Sequence, residues 1–547
     1  MKTFQPKIIQ ALKNYDRRKL VSDLVAGLIV AVIALPLSIA LAIASGVGPE
    51  KGLYTAIVAG FVISLFGGSN VNISGPTAAF ATIVAGIVAT EGIEGLAIST
   101  VLAGLILALF GILRLGSLIK YIPYTITTGF TAGIAVTIII GQLKDFMGLT
   151  FPVGTNAVET MEKVEALAHN VKTFNPWAFL VGAVALAILI VWPKISKKIP
   201  GSLIVVLLGA LVVNLCNMKV NTIGDLYQIT SALPTPSLPN VSWERILHLL
   251  PNAFTIAILA AVESLLSCVV SDGMIGDRHN SNTELIAQGV GNVCPGLFGG
   301  IPATGAIART AANVKNGGRT PVAGLVHAVV LLLVLVVLMP AAAWIPMPVI
   351  AAILLMVAYN MSEWRRFVRI CRTAPLSDIL VLVVTFTLTV VFDLVVAIVV
   401  GLILAAFLFL KKAADLAEVR RWNAAGEDGK KKEIPKGVVV YEINGPMFFA
   451  ASDKFMSLTP DDETHAMIVR MSGVSMLDST AERSIEELCA LCERENVKLI
   501  LSHVHDQPLK VLKKCGVYER LGADRFCADI DEAIARAKAL LEAETKE

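Results

Sequence analysis

The chain has 547 residues, 55% of them hydrophobic and 16% charged, with a mean hydropathy of +0.72. Soluble domains carry roughly 25% charged residues, so an ordinary soluble protein of this length is excluded. The net charge of +3 makes no case for nucleic acid, because the basic residues fall in loops that flank apolar runs.

At the N-terminus, Lys2, Lys7, Lys13, Arg17, Arg18 and Lys19 precede an apolar segment too long for the h-region of a cleaved signal. Residues 20–410 are then mostly apolar. A bilayer span needs about 20 apolar residues, fewer for a half-helix. On that measure the first half predicts spans near 22–45, 50–66, 76–90, 95–113, 121–143, 176–192 and 200–216. The second half predicts 251–270, 283–296, 303–314, 321–340, 345–360, 376–391 and 393–410. Seven spans per half is an odd number, so the halves (about 21–216 and 250–412) must run in opposite orientations, as inverted repeats.

Loop charges set the expected orientation. With residues 1–20 cytoplasmic, the inside loops hold Arg114, Lys120, Lys194, Lys197, Lys198, Arg278, Lys315, Arg319, Arg365, Arg366, Arg369 and Arg372. The outside loops mix Lys51, Lys144, Lys163, Lys172, Lys219 and Arg245 with seven acids, Glu91 and Asp145 among them. That asymmetry follows the positive-inside rule and predicts both termini in the cytoplasm.

The stretch 413–436 reads as a charged linker, with Arg420, Arg421, Glu427, Asp428, Lys430, Lys431 and Lys432. Beyond it, 437–443, 466–471 and 497–501 are β-branched runs. They alternate with helical patterns near 480–494, 507–515 and 530–545, which predicts a small α/β domain over 437–547.

Two stretches hold the chemistry. Leu65-Phe66-Gly67-Gly68 opens a Gly/Pro/Ser/Thr-rich segment that runs to Phe80, and Leu297-Phe298-Gly299-Gly300 opens another that runs to Thr310. Interrupted apolar segments at matching places in two halves point to a transporter's substrate site. A helix that begins inside the membrane aims free N–H groups and the positive end of its dipole at what lies ahead of it. Two such starts, with Arg309 close to the second, suit an anion.

Glu263 is the acid of an otherwise apolar span, where a carboxylate is costly and faces a cavity or a partner. It either carries a coupling proton or plays a static part, paired with Arg309 or capping a backbone break. Pro36 is expected to interrupt the first span. Thr77 and Thr304 stand where the half-helices should begin, as caps, substrate contacts or both. His279 and His327 read as structural. Asp478 or Ser479 reads as a helix N-cap. Cys268 and Cys294 read as core residues, and the Cys489–Cys492 pair lacks the second pair that zinc needs. No nucleotide loop, metal cluster or nucleophile–base pair points to an enzyme, and no cofactor or metal is expected.

Taken together, these residues resemble the sulfate permease (SulP) family of anion transporters. The resemblance rests on Gly52-Leu53-Tyr54, Ser74-Gly75-Pro76-Thr77-Ala78, Glu263-Ser264-Leu265-Leu266-Ser267, and Arg309 followed by Gly317-Gly318-Arg319-Thr320. The tail resembles that family's STAS domain, with Leu477-Asp478-Ser479-Thr480 at a strand–helix loop. It implies fourteen transmembrane segments as 7+7 inverted repeats, split into a core domain (spans 1–4 and 8–11) and a gate domain (spans 5–7 and 12–14). It also implies a homodimer in the cell membrane and elevator-type transport. The anion would meet Ser38, Thr77, Ala78, Gly305, Ala306 and Arg309, and a coupling proton, or alternatively sodium, would meet Glu263 and Ser267. Ser479 becomes a regulatory candidate for a cytoplasmic partner of the STAS domain.

Two departures bear on the substrate. Leu37 replaces the glutamine that many relatives carry after the first-span proline, and sodium-coupled bicarbonate relatives have aspartate where Glu263 stands. Glutamate there resembles the proton-coupled branch, which includes dicarboxylate carriers. Sulfate, bicarbonate and a C4-dicarboxylate all stay open, as does an uncoupled channel or sensor.

Overall fold

The computed structural model describes residues 4–544, apart from Asn14, 118–122, 153–156, Val158, 197–198, Asp393, 423–432, 456–457 and Asp462. Lys120, Lys197, Lys198 and the middle of the charged linker, 423–432, including Glu427, Asp428, Lys430, Lys431 and Lys432, therefore lie outside the described residues. The chain divides into two compact units, Met1–Leu402 and Ile403–Glu547.

The first unit is helical. Its elements begin α1 (Lys7–Lys13), α2 (Arg17–Ala44), α3 (Pro49–Phe66), β1 (Ser74–Gly75), α4 (Ala78–Ile112) and α5 (Tyr124–Met147). They continue with α6 (Thr160–His169), α7 (Pro176–Ile195), α8 (Gly201–Leu215), α9 (Ile223–Leu226) and α10 (Trp243–Ile275). Next come α11 (Ser281–Leu297), β2 (Thr304–Gly305), α12 (Ile307–Lys315), α13 (Val322–Leu338) and α14 (Met347–Ser362). The last are α15 (Trp364–Thr373), α16 (Leu376–Val391) and α17 (Leu394–Leu416), which runs on into the second unit.

Local chemistry sets many of these boundaries. Asn175, Ser242 and Asn280 each accept a backbone N–H in the first turn of the helix they precede. Gly148 and Gly276 end α5 and α10 in the left-handed conformation that glycine adopts without strain. Gly92, at φ 70° and ψ −174°, breaks α4 between the two spans read as 76–90 and 95–113. Pro36, by contrast, does not interrupt its span: α2 runs through it as one helix. Among the described residues, nine helices are long and apolar enough to cross a membrane, and α8 and α16 are shorter apolar helices. With the broken α4 and the short α11 and α12, the set is consistent with fourteen segments.

Packing sorts the helices into two groups. α10 and α11 pack on α4, α13 packs on α2 and α3, and α12 packs on α10 and α2. Separately, α14 packs on α5 and α7, α16 on α5, and α7 on α8, around Phe146, Leu189, Val205 and Val349. The first group holds the spans expected for the core, and the second holds those expected for the gate except the last, α17. An amphipathic helix that the sequence reading did not single out, α15, lies between α14 and α16 in the chain and carries Arg365, Arg366, Arg369 and Arg372.

The second unit is built on a five-stranded sheet. Its strands are β3 (Glu418–Arg421), β4 (Val438–Asn444), β5 (Ala466–Gly473), β6 (Lys498–Ser502) and β7 (Phe526–Cys527), in that spatial order. β3 pairs antiparallel with β4, and the remaining pairs are parallel. Its helices are α18 (Ser452–Phe455), α19 (Ser479–Arg494), α20 (Asp506–Lys514), α21 (Val517–Leu521) and α22 (Ile530–Glu544). Side chains alternate across β5 as the pleat requires. Met467, Val469 and Met471 meet Ile485 and Leu488 of α19, while Ala466 and Ile468 meet Ala533 and Ala537 of α22. The stretch read as a charged linker thus contains an ordered strand, β3.

Asp478 is the N-cap of α19 and accepts from Thr480 N at 3.0 Å and Ala481 N at 2.9 Å. Its second oxygen accepts from Phe449 N at 3.0 Å. Asp478→Ala is expected to cost about 1–2 kcal/mol, read as earlier melting of this unit in a thermal scan with unchanged first-unit unfolding.

Cys489 and Cys492 are free and buried. Burial pushes their thiols up to about 12 and about 11 respectively. Little thiolate then exists near neutral pH, and reactivity rises only as pH climbs toward those values. A maleimide pulse is expected to label exposed Cys216 first and this pair only after unfolding. Prompt labelling of Cys489 in folded protein would overturn this reading of a buried, protonated thiol.

Candidate functional site

The two Gly-rich stretches meet. β1 pairs antiparallel with β2, Ser74 opposite Gly305 and Gly75 opposite Thr304, and Ala306 N donates to Ile73 O at 2.8 Å. From this crossing α4 and α12 set out. Thr77 and Ala306 are their N-cap residues, and neither side chain caps the helix it precedes. The first N–H groups of an α-helix have no acceptor within the helix, so two positive helix starts stand at one crossing. Ala78 is the first residue of α4, and Ile307 and Ala308 at the start of α12 are exposed.

Arg309 lies in the first turn of α12 and is 3% exposed. Its Nη2 donates to Pro76 O at 3.0 Å and reaches the buried Ser38 Oγ at 3.5 Å. Its Nη1 has no partner among the described residues. A Cβ on Gly75 would lie 2.5 Å from Nη1, so the guanidinium passes where only glycine leaves room. A buried guanidinium with an unused donor is costly, and an anion would satisfy it.

Glu263 on α10 is half-buried, and Thr77 Oγ1 donates to its Oε2 at 2.9 Å. The hydroxyl expected to cap α4 is therefore spent on the carboxylate. No ion pair joins Glu263 to Arg309, so the static pairing weighed from the sequence is not what is found. Thr304 also departs from the capping expectation, because it sits in β2. Gly305 N donates to Ser264 Oγ at 3.0 Å, and Ser264 Oγ lies 2.7 Å from Thr304 Oγ1, which donates to Ala260 O at 3.2 Å. These bonds tie β2 to the turn of α10 that carries Glu263.

Ser267 is placed differently from Glu263. It is fully buried, and its hydroxyl donates to Asn72 Oδ1 at 2.8 Å and lies 3.2 Å from Thr310 Oγ1. Sequence reading missed Glu284, a second buried carboxylate in the first turn of α11. Its Oε2 accepts from Gly68 N at 2.8 Å, and its Oε1 accepts from Asn72 Nδ2 at 2.8 Å and Gln288 Nε2 at 3.0 Å. Glu284 and Gln288, polar residues at the head of the apolar run read as span 283–296, were the available signal.

Of the two histidines read as structural, His279 bonds Asp272 at 2.7 Å and Ser281 at 2.9 Å. His327 is buried on α13 with neither ring nitrogen hydrogen-bonded among the described residues. In the second unit, Glu482, Glu486 and Cys515 gather metal-type ligand atoms among the described residues. Burial raises the Cys515 thiol, which disfavours the thiolate a metal would need. Ser479 is exposed at the first position of α19.

The sulfate permease family profile matches residues 20–386, and the STAS domain profile matches residues 430–533. YvdB of Bacillus subtilis (strain 168), to which sulfate transport has been ascribed, is 40% identical over 532 residues, covering 95% of this chain and 98% of its own. Bicarbonate transporter BicA of Picosynechococcus sp. is 30% identical over 544 residues, covering 95% of each chain. The murine Slc26a9 anion transporter structure superposes with a TM-score of 0.88 over 97% of this chain and 94% of that one; at 21% identity, this likeness concerns the fold. The chain therefore belongs to the sulfate permease family, as a multi-pass membrane anion transporter with a C-terminal STAS domain, and it is not an enzyme.

Proposed function

We propose that the chain accumulates a small anion, either sulfate or a related inorganic anion or a C4-dicarboxylate, by symport with protons. The observation that carries this reading is the joined pair of uncapped helix starts with Arg309 Nη1 beside them, unpartnered among the described residues. The anion sits between the starts of α4 and α12, against Thr77, Ala78, Gly305, Ala306 and Arg309, with Ser38 behind the guanidinium. Glu263 carries the proton. Its charged form places a second negative charge at Thr77, where α4 begins. Protonation removes that charge and favours loading, and release of the proton into the more alkaline cytoplasm favours unloading.

The packing groups support an elevator-type movement of α2–α4 and α10–α13 against α5, α7, α8, α14 and α16. The transport domain spans 21–412 and acts as a homodimer in the cell membrane, with both termini cytoplasmic. The STAS domain, 437–547, takes a cytoplasmic regulator near Ser479. The relationship to BicA favours a second reading, bicarbonate transport coupled to sodium. There Glu263 would be a cation ligand, and Ser267 would reach the ion only by leaving Asn72.

The test is proton flux in proteoliposomes holding a pH dye, challenged in turn with sulfate, bicarbonate, fumarate and chloride gradients. Internal acidification driven by one anion and not the others is the expected result. Uptake that requires sodium and moves no protons would overturn proton symport and install the second reading.

A further inference from the structure

Glu284 touches neither helix start, yet it is linked toward both through Asn72. Gly68 N and Asn72 Nδ2 belong to the stretch before β1, and both donate to the Glu284 carboxylate. Asn72 presents its other face, Oδ1, to Ser267 of α10 at 2.8 Å and Thr310 of α12 at 3.0 Å. Thr310 Oγ1 in turn accepts from Ile73 N at 3.0 Å. Glu284, Asn72, Ser267 and Thr310 are all buried. Asn72 also packs under the crossing: a Cβ on Gly305 would lie 2.7 Å from its Nδ2 and 2.9 Å from its Oδ1. The amide has one permitted orientation, because one side meets an acceptor and the other meets two donors.

We propose that Glu284 is a positioning residue for the anion site, acting through Asn72. It fixes the Asn72 amide, which holds Thr310, and Thr310 follows Arg309 on α12. It also sets the plane on which Gly305 rests. The proposal rests on the anion reading above. The mechanism needs an acceptor at Glu284, since three N–H donors converge on it. α11 adds its own positive end, because Glu284 lies in the first turn.

The donor–acceptor pattern supplies the test. Glu284→Gln puts an amide N–H against at least one of the three donors. Asn72→Asp alone sets two carboxylates at hydrogen-bond distance. Combining the two substitutions reverses the bond: the new amide at position 284 donates to the new carboxylate at position 72, which still accepts from Ser267 and Thr310. Gln288 can turn its amide, because its Oε1 has no partner among the described residues.

Each variant is purified full length and reconstituted with whichever of sulfate, bicarbonate or fumarate the wild type accumulates. Each single substitution is expected to raise KM about tenfold or more and to lower the melting temperature. The double variant is expected to return KM to within about threefold of wild type. Glu284→Asp keeps the charge but withdraws it, so it should fold and still raise KM, which covers failure of the other variants to fold. Single variants that are monodisperse with KM within about twofold of wild type would overturn the positioning role, and so would a double variant no better than its worse parent. Should the wild type move none of the three anions, the anion reading fails by itself. The melting temperature then decides the Glu284–Asn72 link, and lack of recovery in the double variant would overturn it.

Discussion

Arg309→Ala is expected to raise the anion KM about 100-fold while leaving the melting temperature of the anion-free protein unchanged or higher. The two halves of this result have separate causes. A guanidinium offering two charge-assisted bonds to an anion contributes about 1.5–3 kcal/mol for each. The low end, about 3 kcal/mol for the pair, corresponds to roughly 100-fold in affinity. In the anion-free protein the same group is a cation, 3% exposed, that keeps Pro76 O and a long contact to Ser38 but leaves Nη1 without a partner among the described residues. Removing a poorly compensated buried charge is often neutral or stabilising. Transport kinetics in proteoliposomes and a melt in detergent read the two halves separately. An unchanged KM in monodisperse protein would remove Arg309 from the site, whereas a large loss of stability would make it a structural cation. Arg309→Lys should fall between, because a single ammonium cannot span Pro76 O and an anion with planar geometry.

Glu263→Gln is expected to abolish uphill accumulation driven by an inward proton gradient, while anion-for-anion exchange continues. Glutamine is isosteric with the protonated acid, and its carbonyl can still accept from Thr77, so the start of α4 keeps its neighbour. The substitution freezes the neutral form. Loading survives because the negative charge is absent, but no proton can be delivered. Wild-type uptake should fall as external pH rises, since less of Glu263 is protonated for loading, and the variant should be flat across the same range. Uptake of labelled anion at fixed internal pH, with external pH stepped from about 5.5 to 8 (about two and a half decades in proton activity), makes the comparison. A variant that accumulates anion as wild type does would remove proton coupling from this residue.

The sequence made some of this legible and hid the rest for definable reasons. Apolar runs located the membrane helices, and Glu91, Gly92 and Glu94 marked the break inside α4. The repeated Leu-Phe-Gly-Gly found both strands of the crossing, because backbone at membrane depth without helix needs small residues and a cavity or protein to cover it. Side-chain destinations were less legible. Thr77 reads as a cap at its position, and only the fold brings Glu263 close enough to take its hydroxyl. Pro36 reads as an interruption, yet α2 continues through it. Glu284 lies in a mixed polar stretch that looks like a loop edge, and its partners Gly68 and Asn72 are 216 and 212 residues away. In the second unit, β-branched runs revealed β4–β6. β3 and β7 were missed because Glu418–Arg421 is charged and Phe526–Cys527 is two residues long.

The bridge between β1 and β2 has a consequence for how the protein is made. Its strands come from different halves of the chain, and Asn72 finds Thr310 across 238 residues. When the ribosome has delivered the first half, Ile73 through Ala78 has no second strand, no Thr310 and no Arg309. A stretch of polar backbone must then wait at membrane depth, covered by water or lent partners, until residues 304–310 are inserted. The crossing of β1 and β2 therefore cannot form before residues 304–310 exist. The crossing cannot be completed within one repeat, and two halves expressed as separate pieces would have to meet before β1 found β2.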